Sequence, residues 1–432
     1  MAKFGTDGIR GIYGQDITHE LAFKIGLALA TIKSNAQIVV GRDNRPGGKE
    51  LLAAFCSGVM LGGGNVFNAG ICTTPCISYL SSTGFDFGVV ITASHNPPEY
   101  NGIKIFGKNG IKTEYNTEVE LQKLINSSQP INNNCLGTIK KAYGLKNKYI
   151  DFLKLLLPKT THKVVVDCSN GASKTIAKKV LGKSAIFVGQ GTGKRINQNC
   201  GALHPKNVQN AVIKNNADIG FAFDGDADRI IVATKTQIYD GDNILFALSK
   251  YFLATRKNFG QISATIMSNM GLENALKKHG VEVCYTDVGD KYVIRQMQQE
   301  SLILGGEQSG HIIASEFLPT GDGLLAALLL LHAQKFLKVD FDTLLYFTKF
   351  AQHEVSYKTN LKAELIDDEE LKEYIEFVKQ KLGSRGRVIV RASGTEPKLR
   401  IMAETQEQEH SKQVAGEILK QIKRAEERLC VE

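Results

Sequence analysis

Short apolar runs alternate with amphipathic stretches along most of the chain. The runs are rich in β-branched residues and have the length of buried strands; they lie at residues 37–40, 88–91, 163–166, 219–223 and 302–304. Helical spacing of apolar residues follows most of them, at 47–62, 171–181, 207–215 and 270–279. Strands that alternate with helices predict an α/β protein with parallel or mixed sheets.

The carboxyl-terminal part has a different pattern. A helix rich in charged residues is predicted around 366–382, strands at 387–391 and 398–403, and a final helix at about 407–429. The final helix carries Val414, Ile418 and Ile422 on one face, which is typical of a helix that packs on a core. We therefore expect a smaller α+β domain here.

The length of 432 residues exceeds what a single hydrophobic core usually supports. Breaks in the pattern lie near residues 158, 250 and 355. We therefore expect three α/β domains and a smaller fourth domain; their predicted limits are 1–157, 158–250, 251–355 and 356–432.

Three carboxylates at alternate positions follow the apolar run 219–223. They are Asp224, Asp226 and Asp228, and Arg229 comes next. Carboxylates this close repel one another unless a cation neutralises them, and all-oxygen ligands suit a hard cation such as Mg²⁺. A calcium helix-loop-helix site is excluded, because Arg229 and Lys235 occupy the positions that need glycine and glutamate.

A hydroxyl lies beside an imidazole in the segment 92–98, Thr-Ala-Ser-His-Asn-Pro-Pro, directly after the run 88–91. Together with the carboxylate loop, Ser94 predicts phosphoryl transfer through a phosphoserine. The segment lacks the Gly-x-Ser-x-Gly pattern, which argues against an acyl-transfer hydrolase. His95 is either a proton-transfer group or an ordinary surface residue.

Two further loops carry groups suited to a sugar phosphate. Residues 306–311, Gly-Glu-Gln-Ser-Gly-His, offer Glu307 and Ser309 to sugar hydroxyls and His311 for proton transfer. A second anion site is predicted near residue 393, because a Ser-Gly-Thr turn between two arginines can bind a dianionic phosphate. Its residues are Arg391, Ser393, Gly394, Thr395 and Arg400.

Composition removes several other classes of function. The charge of +9 includes a lysine-rich stretch at 140–163, but no nucleic-acid-binding motif accompanies it, so we expect no nucleic-acid partner. No P-loop or kinase signature occurs, so ATP is not an expected phosphate donor. The most apolar segment, 324–331, is too short to span a bilayer, and no secretory signal is visible; we expect a cytoplasmic protein with no membrane partner.

These segments resemble, in their order along the chain, the motifs of the α-D-phosphohexomutases, and the resemblance covers essentially the whole chain. The family fold implies three similar α/β domains with mixed sheets and a smaller C-terminal α+β domain, heart-shaped around a central cleft. The family reaction implies a phosphoserine enzyme, Mg²⁺ and a sugar 1,6-bisphosphate intermediate. Glucose 1,6-bisphosphate or glucosamine 1,6-bisphosphate is the implied activator.

The resemblance also implies roles for single residues. Ser94 is similar to the serine that carries the phosphate, and its phosphate oxygen would complete the metal site of Asp224, Asp226 and Asp228. Arg10 and Arg229 resemble the arginines of the active site. The implied proton-transfer candidates are Lys104 and His311, then His95. Glu307 and Ser309 resemble the sugar-recognition loop, and the loop around Ser393 resembles the one that holds the non-reacting phosphate.

The preferred sugar stays open between two subfamilies. Residues 4–11, 305–311 and 320–323 resemble the phosphoglucosamine mutases, which interconvert glucosamine 6-phosphate and glucosamine 1-phosphate for UDP-N-acetylglucosamine and cell-wall precursors. Residues 97–102 and Ala227 look more like the phosphomannomutases/phosphoglucomutases, and Lys291 stands where the glucosamine enzymes are expected to have arginine. A catalytically silent relative that binds a phosphosugar or nucleic acid is the remote alternative. A homodimer and an activating kinase are possible partners on this resemblance.

Overall fold

The computed structural model describes residues 5, 8–127, 136–393 and 397–430. They divide into two compact units. The first unit contains the described residues up to Met267 together with His279–Tyr346, and the second contains Ser268–Lys278 and the described residues from Phe347 onward. The domain limits given above stay a prediction.

The strands and helices of the described residues are numbered in chain order. The strands are β1 Ile9–Ile12, β2 Gln37–Arg42, β3 Asn65–Ile71, β4 Phe87–Ile91, β5 Tyr100–Gly107, β6 Ile139–Lys141, β7 Val164–Asp167, β8 Ala185–Val188, β9 Ile219–Phe223, β10 Ile230–Ala233, β11 Ile238–Tyr239, β12 Gln261–Thr265, β13 Glu282–Thr286, β14 Leu304–Gly306, β15 Ile312–Ala314, β16 Ala351–Lys358, β17 Gly386–Ala392 and β18 Lys398–Thr405. The helices are α1 His19–Ile32, α2 Gly48–Leu61, α3 Thr74–Ser81, α4 Tyr115–Asn126, α5 Lys146–Leu155, α6 Ser173–Leu181, α7 Lys206–Lys214, α8 Gly241–Thr255, α9 Met270–Lys277, α10 Asp290–Gln299, α11 Gly323–Leu337, α12 Phe341–Leu345, α13 Lys362–Asp367, α14 Glu369–Leu382 and α15 Gln408–Leu429.

The first unit contains three mixed sheets. Their strand orders are β1-β5-β4-β2-β3-β6, β11-β10-β9-β7-β8 and β13-β12-β14-β15. Each sheet has a group of parallel strands and one antiparallel edge. That edge consists of β5 and β1 in the first sheet, β10 and β11 in the second, and β15 in the third. Every residue of β7 and β9 is buried, because helices cover both faces of such a sheet and the strands are apolar throughout.

The predicted α/β class with mixed sheets is confirmed by these three sheets. The segment 324–331 lies inside α11, where its leucines are buried in the first unit. Within the described residues, we find no helix that combines the length and the apolar character needed to cross a membrane.

The second unit is built on one antiparallel sheet of order β16-β18-β17. Helices α13, α14 and α15 pack on it, and their apolar residues join those of β17 and β18 in a single core. Val414, Ile418 and Ile422 are buried in that core, as the sequence pattern of the last helix predicts.

Two predicted elements differ from the structure, and several strands of the structure have no counterpart in the predictions. The strand expected at 302–304 runs instead over Leu304–Gly306, because Ser301 takes a left-handed conformation (φ 55°) after α10 and delays the strand. The helix expected at 366–382 is two helices, since Asp368 leaves the helical conformation and caps the amino terminus of α14. Strand β16 is one of these unpredicted strands.

Helices α1 and α2 approach each other at two glycines. A methyl group on Gly58 would lie 2.0 Å from the carbonyl oxygen of Phe23, and one on Gly26 would lie 2.2 Å from the carbonyl oxygen of Phe55. These distances are far below van der Waals contact. Both positions therefore require glycine for the helices to pack at this separation.

We expect Gly58→Ala to lower the free energy of unfolding by about 1–3 kcal/mol, because the added methyl group forces the two helices apart. Urea unfolding monitored by circular dichroism measures the effect. Gly260→Ala is the matched control, since a methyl group there meets nothing within 4 Å and the substitution should be neutral or stabilise by at most about 1 kcal/mol. Equal stability of the two variants would contradict the packing account.

Candidate active site

Three buried carboxylates lie in the turn between β9 and β10. Asp224, Asp226 and Asp228 each offer an oxygen, and these oxygens all lie within 4.8 Å of one another. Ala227 takes a left-handed conformation (φ 60°), and its N–H donates to the carbonyl of Asp224, which closes the turn. The tight turn therefore directs the side chains of Asp224, Asp226 and Asp228 toward a common point.

Lys104, on β5, supplies positive charge to this cluster. Its Nζ donates to Oδ2 of Asp226 at 2.9 Å and to Oδ2 of Asp228 at 2.7 Å, and the side chain is fully buried. Burial works to lower the pKa of Lys104, but the charges of Asp226 and Asp228 outweigh it and hold that pKa above its ordinary value. Lys104 is therefore a cation that partly balances the carboxylates.

Two oxygens of the cluster have no hydrogen-bond donor. Burial, together with the charges of Asp228 and Asp226, raises the pKa of Asp224 well above its usual range. Oδ1 of Asp226 and Oδ1 of Asp228 are buried and accept no hydrogen bond. Buried carboxylate oxygens without a donor are expensive, and a hard divalent cation would satisfy them. The donor set therefore fits such an ion.

Ser94 lies directly against the carboxylate cluster. Its loop follows β4, and its Oγ donates to Oδ2 of Asp224 at 2.6 Å. The residue is 1% exposed and takes a left-handed conformation (φ 51°), which is uncommon for a serine. The neighbouring His95 places Nδ1 at 3.4 Å from the same Oγ. Ser94 is thus the hydroxyl placed beside the candidate metal site.

His95 is held neutral. Burial is the main reason, and the charges of Arg229 and Arg10 add to it; together they lower the pKa of His95 to about 3. At neutral pH the imidazole therefore carries no charge, so it can accept a proton from a hydroxyl only weakly and has no acidic proton of its own to give. His95 is therefore a weak base in this site.

Two arginines add positive charge beside the cluster. Burial works to lower the pKa of Arg229, but the charges of Asp228, Glu307 and Asp224 outweigh it and raise that pKa. Burial lowers the pKa of Arg10, on β1, although the carboxylates act against this shift. The backbone N–H of Arg229 also donates a hydrogen bond to Oδ1 of Asp224 at 3.2 Å. Arginine at both positions is suited to an anion that joins the cluster.

The turn between β14 and β15 brings Glu307, Ser309 and His311 to the first unit's site. The turn is closed by the N–H of Glu307, which donates to the carbonyl of His311. Glu307 is half-buried, and its negative charge helps to raise the pKa of Arg229. Ser309 is exposed. His311 is 3% exposed and lies near Asp228, with Nδ1 at 3.9 Å from Oδ1.

His311 contacts a backbone donor and a carboxylate through the same nitrogen. The N–H of Gly321 donates to Nε2 at 3.2 Å, and Oδ2 of Asp290 lies 3.4 Å from that nitrogen. His311 is therefore oriented by a fixed backbone contact.

In the second unit, Arg391 on β17 and Arg400 on β18 lie directly opposite each other. Burial and then the charge of Arg400 lower the pKa of Arg391, as expected for two cations side by side. Ser393 is buried, and its carbonyl accepts a hydrogen bond from Nζ of Lys362 at 2.6 Å. Gly394 and Thr395 lie outside the described residues, as do residues 4, 6 and 7 of the amino-terminal motif.

Sequence reasoning missed several residues around this site. Thr74 donates to Oδ2 of Asp226 at 2.6 Å, and Asp290 places Oδ2 at 3.4 Å from Nε2 of His311. Lys112 forms an ion pair with Asp290. Each residue comes from a different element, far from its partner along the chain. The one available signal was the Gly-Asp sequence at 289–290. Strand β13 lies between it and the predicted helix 270–279, and the sequence pattern does not predict that strand.

A divalent cation such as Mg²⁺ should raise the melting temperature of the protein, because an ion that binds only the folded state stabilises that state. When the ion concentration is one hundred times the dissociation constant, the free energy of unfolding increases by about 2.7 kcal/mol. Asp224→Asn should abolish most of this increase. Thermal unfolding with and without Mg²⁺ measures it, and the control is Asp151→Asn, a carboxylate whose side chain is 71% exposed. An undiminished increase in the Asp224 variant would place the ion elsewhere.

Comparison with known families gives a consistent result along the chain. Four sequence profiles of phosphoglucomutase/phosphomannomutase match: α/β/α domain I over residues 1–131, domain II over 147–237, domain III over 240–348 and the C-terminal domain over 354–421. Together they account for most of the chain. The carboxylate turn lies in the segment that matches domain II, and Ser94 in the segment that matches domain I.

Individual relatives agree with these profiles. The chain is 39% identical to a phosphoglucosamine mutase of Thermoanaerobacter sp., covering 98% of this chain and 99% of the relative, and 39% identical to one of Clostridioides difficile, covering 95% and 96%. Its structure is similar to that of a phosphoglucomutase/phosphomannomutase family protein of Burkholderia thailandensis, with a TM-score of 0.83 and 25% identity over 98% and 97% of the two chains. The chain therefore belongs to the phosphoglucomutase/phosphomannomutase family, the α-D-phosphohexomutases.

Proposed function

We propose that this protein is a phosphoglucosamine mutase, which interconverts glucosamine 6-phosphate and glucosamine 1-phosphate through a phosphoserine at Ser94. One observation carries the chemistry: the Oγ of Ser94 lies 2.6 Å from a carboxylate of the buried Asp224, Asp226 and Asp228 cluster. The choice of sugar rests on the relatives, which bear this name and cover nearly the whole chain at 39% identity.

The reaction consists of two phosphoryl transfers. In the first, the bond between Oγ of Ser94 and phosphorus breaks, and a bond forms between phosphorus and the free hydroxyl of the substrate, which gives a sugar 1,6-bisphosphate. In the second, the other phosphate of the bisphosphate returns to Ser94. Such transfers need charge neutralisation and positioning more than covalent assistance.

The residues of the first unit suit that requirement. Mg²⁺, when bound, would neutralise phosphate charge beside Asp224, Asp226 and Asp228. Arg10 and Arg229 carry charge suited to the phosphate oxygens. The proton of the attacking hydroxyl needs an acceptor. Lys104 is already a cation, so we propose it as a proton donor, and we propose His311, ahead of His95, as the acceptor.

Sugar recognition and the second phosphate involve further residues. We propose that Glu307 and Ser309 contact the sugar, and that the Glu307 carboxylate pairs with the 2-ammonium group of glucosamine phosphate. Arg391, Ser393, Gly394, Thr395 and Arg400 are proposed to bind the phosphate that does not react; the adjacent arginines of β17 and β18 support this. The bisphosphate activator, a homodimer, an activating kinase and a cytoplasmic location stay predictions.

Ser94→Ala should reduce turnover to background while the melting temperature stays within a few degrees of the parent, because the variant loses only the hydroxyl that carries the phosphate. A coupled assay with Mg²⁺ and a catalytic amount of glucose 1,6-bisphosphate measures turnover. Ser82→Ala is the control, because that exposed hydroxyl donates only to the backbone of its own helix. Full activity of the Ser94 variant would refute the phosphoserine.

The same assay decides the sugar. We expect kcat/KM for glucosamine 6-phosphate to exceed that for mannose 6-phosphate and glucose 6-phosphate at least tenfold, which corresponds to about 1.4 kcal/mol of transition-state stabilisation. Glu307→Gln should reduce this preference, and the exposed Glu300→Gln should not. A preference for the neutral sugars would make the protein a phosphomannomutase/phosphoglucomutase with the same mechanism.

A further inference from the structure

The loop that carries Ser94 is held by residues that the mechanism does not use. Ser94 is in a left-handed conformation that L-residues rarely adopt, so its surroundings must impose it. Its N–H and its carbonyl are both hydrogen-bonded, and each bond leads back to the same carboxylate, that of Asp43. Asp43 lies just after β2 and is completely buried.

On the amino side of Ser94, the connection runs through Thr92. The N–H of Ser94 donates to Oγ1 of Thr92 at 2.9 Å, and this hydroxyl donates to Oδ2 of Asp43 at 2.7 Å. Both Thr92 and Asp43 are 0% exposed, so water does not compete for these bonds. The hydroxyl of Thr92 is therefore the link between the Asp43 carboxylate and the Ser94 backbone.

On the carboxyl side, the connection runs through Arg45. Its Nε donates to Oδ2 of Asp43 at 2.7 Å, and its Nη2 donates to the carbonyl of Ser94 at 3.0 Å. Its Nη1 donates to the carbonyls of Pro97 at 2.9 Å and of Tyr100 at 2.7 Å. The guanidinium is fully buried, and its hydrogen-bond partners beyond Asp43 are all backbone carbonyls of the segment 94–100.

The Ser94 carbonyl has a second donor from the segment between β8 and α7. Nδ2 of Asn197 donates to that carbonyl at 2.8 Å and to the carbonyl of Asn96 at 2.9 Å. Oδ1 of Asn197 accepts a hydrogen bond from Oγ of Ser169 at 2.7 Å, which fixes the amide orientation. The loop is therefore hydrogen-bonded by residues that follow strands of the first sheet and by Asn197, which follows β8 of the second sheet. The second sheet also carries the carboxylate turn.

We infer that Asp43, Arg45 and Thr92 are positioning residues for phosphoryl transfer: they close a ring of hydrogen bonds around the Ser94 backbone and hold its Oγ against Asp224. The inference rests on the proposed function, since it concerns the residue that carries the phosphate. None of the three hydrogen-bonds to Oγ of Ser94, whose partners are Asp224 and His95, so they act through the backbone. A misplacement of about 1 Å in a reacting group can lower a rate about a hundredfold.

Thr92→Val tests the ring with little disturbance, because valine keeps the shape of threonine and removes only the hydroxyl. We expect kcat for glucosamine 6-phosphate to fall about tenfold with KM unchanged within about twofold, and the melting temperature to fall by a few degrees because the buried N–H of Ser94 loses its acceptor. Thr92→Ser restores the hydroxyl and should recover most of kcat. A residue that only stabilises the fold would lower the melting temperature without this split between kcat and KM.

Arg45→Met provides the second variant, with an expected fall in kcat of about a hundredfold in the folded fraction. Its matched control is Arg256→Met, which removes the same charge from a half-buried side chain that pairs with Glu316 outside the ring. That control should keep kcat within about twofold. If Arg45→Met does not fold, the Thr92 variants alone decide.

The outcomes separate the inference from the proposed function. A parent enzyme that interconverts the sugar phosphates, with Thr92→Val equally active, overturns the inference and leaves the function intact. Loss of kcat in Thr92→Val that Thr92→Ser does not recover also overturns it. A parent that turns over no hexose phosphate overturns both. Loss and recovery of kcat at unchanged KM support the ring.

Discussion

The burial of three carboxylates within 4.8 Å of one another is the constraint on which the rest of the site depends. Removing so much like charge from water is unfavourable unless cations lie in direct contact. Lys104 supplies one cation, and Arg229 and Arg10 lie close enough to act on the same carboxylates. Oxygens of Asp226 and Asp228 that accept no hydrogen bond leave a place for a divalent ion.

The sheets explain why groups so distant along the chain meet here. Ser94 follows β4 and the carboxylates follow β9, and both are strands of sheets whose central members run parallel. Loops at the carboxyl ends of such strands are where α/β proteins bind ligands. Lys104 comes instead from β5, which runs antiparallel to β4, and it reaches the carboxylates from within a strand. Because the strands are rigid, they hold the side chains of these loops in fixed positions.

The local patterns were predictable from the sequence, and the long-range ones were not. Alternating aspartates after an apolar run identified the carboxylate turn, and helical spacing identified α2, α7 and α15. No local pattern predicted that Lys104 pairs with two aspartates or that Arg45 donates to the Ser94 loop, because each contact depends on how separate strands pair. Strand β16 was missed because its residues alternate between half-buried and exposed and lack an apolar run. The left-handed Ser301 explains the displaced strand β14.

The most direct test of the account follows labelled phosphate from the enzyme in a single turnover. Protein carrying ³²P at Ser94 would be mixed with excess glucosamine 6-phosphate and Mg²⁺ and quenched at millisecond intervals. The account predicts that the label leaves the protein for a sugar 1,6-bisphosphate before it appears in any other product, and that little inorganic phosphate forms. Release of the label as inorganic phosphate, at the same rate with or without the sugar, would contradict transfer from Ser94 to substrate.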